Sequence, residues 1–322
     1  MKKLVFFLGV LLAIFSFAQQ EIVAVVNGRN VTMDEWNREV NIQKLLLDIQ
    51  NSNEIFYQIL TTSQEGLILI ERYRLKVLDV LIRKIVFIQF AENLKVAPSD
   101  DVVKKDVENE IKKMLTDLKM TEAQLNDYLV KLGMGQLDEY KQKLYFQRKY
   151  SLSLANVYTY YLDQEVRSQY EKNKEKYTVP TQYDLVVFRT KDKTVAENIR
   201  QELIRNVAVE EIAKKYNISN YINGFVNQND TTKVPQNLWV IITGVSKGTI
   251  LPVQSVAGEH YVIRIRDIKP SSIKSFDDVK DEIKKEVLNA KQDEVKDKVS
   301  KDFEEFYKKS KIEIRYKSQL IK

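Results

Sequence analysis

The chain has 322 residues, of which 44% are hydrophobic and 30% charged, with 9 glycines and 5 prolines. This exceeds the length that one hydrophobic core usually serves, so two or more cores are expected, and the scarcity of Gly and Pro excludes long flexible tracts. The net charge of +6 is spread over interleaved Lys, Glu and Asp, which argues against a nucleic-acid surface, and the absence of cysteine excludes disulfides and thiolate chemistry.

The chain opens MKKLVFFLGVLLAIFSFAQQ. Lys2 and Lys3 precede an apolar run from Leu4 to Phe15, and Ser16, Phe17 and Ala18 form a small-x-small site. This pattern predicts a secretory signal, residues 1–18, cleaved after Ala18. The apolar run falls short of the roughly 20 residues that span a bilayer, and the alternative is an uncleaved anchor that keeps the chain near the membrane. An exported chain without disulfides is stable through packing alone.

The alternating run Ile22 to Val26, then Asn27-Gly28, then Asn30-Val31 predicts a tight hairpin. Thr32 with Glu35 has the capping-box spacing, so a helix is expected from Met33 through Leu45 to Leu47. From Ser63 to Leu94 apolar residues recur at three- and four-residue spacing around more than one face, the mark of a buried central helix. Ser99 caps a helix towards Leu118, and further helices are expected at 122–132, ended by Gly133, and from Leu137 to about Tyr160.

A Pro-marked turn near Tyr177 changes the texture. Beyond it the pattern predicts a strand at 183–188, helices at 194–205 and 209–216, a polar loop at 217–233 and a short helix from Pro235. Strands at 250–253 and 261–266 complete a small α+β unit. Past Pro270, Ser275 caps a long helix with one apolar stripe from Val279 to Phe306. "IEIRY" from Ile312 alternates like a strand and is expected to join the hairpin at Ile22–Val26, bringing the chain ends into one core.

Three stretches together resemble the SurA/PrsA group of exported parvulin-type peptidyl-prolyl isomerases and chaperones: "VAVVNGRNVTMDEWNREV", "LDVLIRKIVFIQFAENLKVAPSDDVV" and "VRSQYEKNKEKYTVPTQY". Within the α+β unit, "VEEIAKKY" and "KGTILPVQSVAGEHYVIRI" are similar to the parvulin helix, its Gly-Pro-Val segment and its terminal Gly-x-His strand. The resemblance implies a mainly helical α+β fold: a helical chaperone domain at 19–176, a degenerate parvulin-like domain at 177–269, and a C-terminal helix and strand at 270–322 packing back on the first domain.

The chemistry of such a domain is rotation about an X-Pro amide, against a barrier of about 18–20 kcal/mol. Family members use two histidines, an Asp or Cys between them, and apolar walls around the proline ring. His260, the only histidine, takes the position of the second. The first falls on Asp184, Leu185, Val186 or Val187, so a histidine pair is impossible; Ser219 or Asn220 is nearest to the Asp/Cys position, and the glycine-rich loop is reduced to Gly224. The aromatic wall becomes Asn237 or Leu238, beside Trp239.

No residue is therefore assigned a catalytic role. The resemblance gives His260, Leu238, Trp239 and Val253 as candidate peptide contacts, against a bland reading in which His260 is satisfied by backbone or hydroxyl groups and Trp239 anchors a core. The expected function is an ATP-independent chaperone holding unfolded exported polypeptides in the periplasm or outer envelope; the alternative is an active isomerase. No cofactor, metal, nucleotide or nucleic acid is expected. A third reading, a scaffold for one dedicated envelope partner, uses the same fold.

Overall fold

This computed structural model describes residues 21–321; the expected leader and its cleavage site lie outside them. The fold is α+β and mainly helical. Its elements are β1 (Ile22–Val26), β2 (Arg29–Thr32), α1 (Met33–Val40), α2 (Ile42–Ser52), α3 (Glu54–Thr62), α4 (Gln64–Asn93), α5 (Asp100–Leu118), α6 (Glu122–Lys131) and α7 (Leu137–Lys172). There follow β3 (Thr178–Val179), β4 (Gln182–Thr190), α8 (Lys193–Ile204), α9 (Val209–Lys215), β5 (Ile222–Asn227) and α10 (Gln236–Ile242). The last are β6 (Gln254–Val256), β7 (Glu259–Lys269), β8 (Ser272–Ile273), α11 (Phe276–Lys309) and β9 (Ile312–Ile314). Two compact units result, one running to Glu165 and resuming at Leu288, the other Val166–Val287, so the divisions fall inside α7 and α11. Among the described residues no helix is long and apolar enough to cross a membrane.

The first unit is built on a three-stranded sheet of order β2-β1-β9. Asn27 and Gly28 both take positive φ, 49° and 86°, as a two-residue hairpin turn requires. That turn also clasps the far end of the chain: the Asn27 N–H donates to the Lys311 carbonyl (2.8 Å) and the Lys311 N–H to Asn27 Oδ1 (2.7 Å). β9 runs antiparallel to β1 with Ala24 opposite Ile314. Beyond β9, Tyr316 lies edge-on to the fully buried Trp36 and donates its hydroxyl to the buried Glu71 carboxylate at 2.7 Å. Glu71 also accepts from Arg74, whose guanidinium stacks on Trp36, so this buried carboxylate meets the need for paired, hydrogen-bonded partners. Phe303 of α11 packs between Phe87 and Phe90 of α4.

Three differences from the sequence reading arise here. The helix expected from Met33 to Leu45–Leu47 breaks at Asn41, which adopts the left-handed conformation, φ 43°, and caps α2 by accepting from the Lys44 N–H. Asn tolerates this conformation because its short amide can bond locally. Thr32 does cap α1, but Glu35 turns away from the reciprocal bond to pair with Arg29. α7 also runs well past Tyr160, since no Pro or Gly interrupts it before Lys172.

The second unit is an antiparallel sheet of order β5-β4-β7-β6 with helices on both faces. Odd-numbered residues of β4 and β7, among them Leu185, Val187, Ile263 and Ile265, pack with Leu238, Trp239 and Ile242 of α10. Even-numbered Val186, Phe188 and Val262 pack with Ile199, Leu203 and Ile212 of α8 and α9. β5 lies inside the segment read as a polar loop: at a sheet edge, only Val226 is buried, Asn223, Phe225 and Asn227 face solvent, and pairing with β4 alone defines the strand. The strand expected at 250–253 is reduced to a single bridge from Ile250 to Arg264, and β6 forms just after it.

At the start of α11 the Ser275 and Asp278 side chains cap each other's backbone N–H groups. The Ser275 hydroxyl, then its backbone N–H, hold the Asp278 carboxyl below the ordinary aspartate range. A carboxyl depressed in the folded state contributes stability above its unfolded pKa and loses it as pH falls through the folded value. We therefore expect Asp278→Asn to lower the denaturation midpoint at neutral pH, and the deficit to shrink as pH falls below the ordinary aspartate range and the native carboxyl becomes protonated in its turn; urea titrations at neutral pH and at successively lower pH check this.

Candidate functional site

The second unit carries a cleft of 530 Å³ between β5, the Thr231–Lys233 turn before Pro235, and the ends of β4 and β7. Its floor includes Val187, Arg189 and Tyr261, the last two directly opposite each other in the β4–β7 register. The Tyr261 hydroxyl donates to Glu259 Oε2 at 3.1 Å, and Arg189 Nη1 stands 3.5 Å from the same oxygen. Burial, then the Glu259 hydrogen bond, push the Tyr261 phenol above its ordinary range, so it stays protonated with its donor engaged.

His260 is the residue between Glu259 and Tyr261, and strand alternation turns it to the opposite face of the sheet. There its Nδ1 lies 2.8 Å from the Ser255 hydroxyl, and Thr190 is its register partner on β4. The four candidate contacts do not meet in one place. Leu238 and Trp239, each 1% exposed, belong to the core under α10, where the indole N–H donates to the Asp230 carbonyl (3.3 Å) and the ring meets Tyr183 edge-on. Val253 packs against the core on the α8–α9 face.

The positions weighed for the first histidine are equally occupied. Asp184 pairs with Arg266 at 2.6 Å, while Leu185, Val186 and Val187 are core. Of the remaining candidates, Asn220 and Gly224 line the cleft, and Asn237 is exposed. Sequence reasoning missed Arg189, Glu259 and Tyr261; the odd positions flanking His260 were the available signal, but it needs the strand register to be read. Among the described residues no group of three or more His, Asp or Glu is placed to hold a metal.

Residues 2–148 match the SurA-like N-terminal domain, and residues 162–281 match the PPIC-type PPIase domain. The chain belongs to the SurA/PrsA-like family. The foldase protein PrsA of Clostridium botulinum (strain Langeland) is 23% identical over 308 residues, covering 92% of this chain and 89% of that protein. PrsA of Caldanaerobacter subterraneus is 26% identical over 300 residues, covering 91% and 87%. Among solved structures, a SurA-like chaperone of Campylobacter jejuni is 16% identical with a TM-score of 0.29, covering 92% of this chain and 99% of that one.

In this SurA/PrsA-like protein, then, the PPIC-type unit keeps its sheet, its helices and a cleft. What the cleft presents is a guanidinium and a phenol, both engaged by the neighbouring Glu259 carboxylate. Such a set can donate a hydrogen bond to a peptide carbonyl. None of its members is a group whose ordinary pKa lies near neutrality.

Proposed function

We propose that this protein is an ATP-independent extracytoplasmic chaperone that holds unfolded exported polypeptides, and that its PPIC-type unit no longer catalyses prolyl isomerisation. The observation that carries the loss of catalysis is the placement of His260 on the face of the sheet opposite the cleft, bonded to Ser255. Stabilising a twisted amide requires donors aimed at the place where charge develops, in a dry slot. Here the Tyr261 donor is already committed to Glu259, and Trp239 is sealed in the core rather than walling a proline ring.

The chaperone half rests on the family and on apolar surface. Ile55, Phe56 and Ile59 of α3 and Leu67 and Leu69 of α4 are exposed, in a chain where the stretch from Ile49 to Gln64 holds one charge, Glu54. Many weak apolar contacts of this kind can be exchanged without an energy source, release following from the client's own folding. The leader expected from the first 18 residues supports action outside the cytoplasm. The mature protein is expected to suppress light scattering by a chemically denatured client without ATP; unchanged scattering at molar excess would count decisively against the proposal.

A further inference from the structure

The first unit has its own groove, of 680 Å³, lined by α1, α4, α5 and α7. Its apolar surface comes from Ile85, Ile88, Val107 and Phe146. Basic side chains outnumber acidic ones around it, six to four; with Glu35 paired to Arg29, Glu39 to Lys84, Lys149 to Asp100 and Lys141 to Glu122 and Asp138, what is left is Arg38, Lys104 and Lys143 against Glu92 and Glu108.

Lys143 stands on this groove half-buried. Among the described residues it forms no ion pair with a carboxylate; the Glu39 carboxylate, which acts on it electrostatically, is bonded to Lys84 instead. Burial pushes the Lys143 ammonium below the usual lysine range; Glu39 opposes this and Lys84 adds to it. An incompletely hydrated cation beside an apolar floor is a poor end state for a protein group unless an anion completes it.

We propose that this groove receives an extended apolar segment of a client polypeptide through an aspartate or glutamate side chain that pairs with Lys143. The proposal rests on the chaperone reading and names the client feature that this unit selects. The apolar floor takes the side chains flanking the acid, and the desolvated ammonium gives the carboxylate a charge-assisted hydrogen bond. Selection of this kind acts as a specificity filter on otherwise promiscuous apolar contacts.

The test is fluorescence anisotropy on the full mature chain with an acetylated, amidated apolar peptide carrying one central Glu, against the same peptide with Gln. The capped ends leave the side chain as the only carboxylate. We expect the Glu peptide to bind about tenfold more tightly. Lys143→Met should abolish the difference, Lys143→Arg should retain it, and Lys193→Met, which removes the same charge from an exposed position of the second unit, should leave it unchanged. Equal binding of the two peptides to the unmodified protein overturns the proposal, as does a preference that survives Lys143→Met. Aggregation suppression is scored separately with an uncharged client: its absence beside a Glu preference sinks only the chaperone reading, and its presence without a preference sinks only the groove.

Discussion

Replacing Trp36 with alanine is expected to lower the stability of the first unit by about 3–5 kcal/mol, the range found for emptying a large aromatic site in a core. Trp36 is fully buried, its indole N–H donates to the Arg74 carbonyl at 2.9 Å, and its ring lies edge-on to Tyr316 at 4.7 Å and under Arg74 at 4.5 Å. Its removal therefore opens a cavity and also strands a buried cluster. Tyr316 and Arg74 lose the surface that holds them over Glu71, and that carboxylate keeps its burial while its partners loosen. Because Tyr316 follows β9, the damage should extend to the clasp between the chain ends. Urea unfolding followed by far-UV circular dichroism reads the loss, and a change below about 1 kcal/mol would show that the cluster is not integral to the core.

The second large effect is expected from Trp239→Ala, again about 3–5 kcal/mol, now in the PPIC-type unit. Trp239 and Leu238 are the main side chains that α10 lays on the odd-numbered face of the sheet, together with Ile242. The chain's two tryptophans fall one in each unit, so the Trp36→Phe background lets Trp239 fluorescence follow the second unit before Trp239 is itself replaced. Hydrogen exchange at β4 and β7 then measures the variant. A core anchor predicts faster exchange across both strands. If Trp239 were instead a substrate platform, exchange would be unchanged while peptide binding weakened.

Local signals that carry their own geometry were legible in the sequence. Asn27-Gly28 admits few conformations other than a tight turn, Ser99 and Ser275 are helix caps where expected, and the alternation of Ile312–Ile314 pointed to a strand that pairs with β1. What stayed hidden depends on neighbours distant in sequence. β5 has no apolar pattern because an edge strand with one buried residue needs none, and Asn41 breaks a helix that propensity alone would continue.

The site was less legible than the fold for a related reason. A motif such as Gly-x-His locates a histidine along a strand, but which face it serves depends on register, and a shift of one residue reverses every side chain. His260 lies in the expected strand, and the cleft is lined by its neighbour Tyr261 and by Arg189 across the ladder. Composition correctly excluded a histidine pair, but it could not indicate that Glu259, Tyr261 and Arg189 would be joined in its place.

The most direct test of the central claim, a retained PPIC-type frame without isomerase chemistry, is a protease-coupled isomerisation assay of a proline peptide with the full mature chain. The slow phase is expected to keep its uncatalysed time, roughly tens to hundreds of seconds, at every protein concentration. A rate that rises with protein concentration and is lost in His260→Ala or Tyr261→Phe, but not in Lys193→Met, would contradict it.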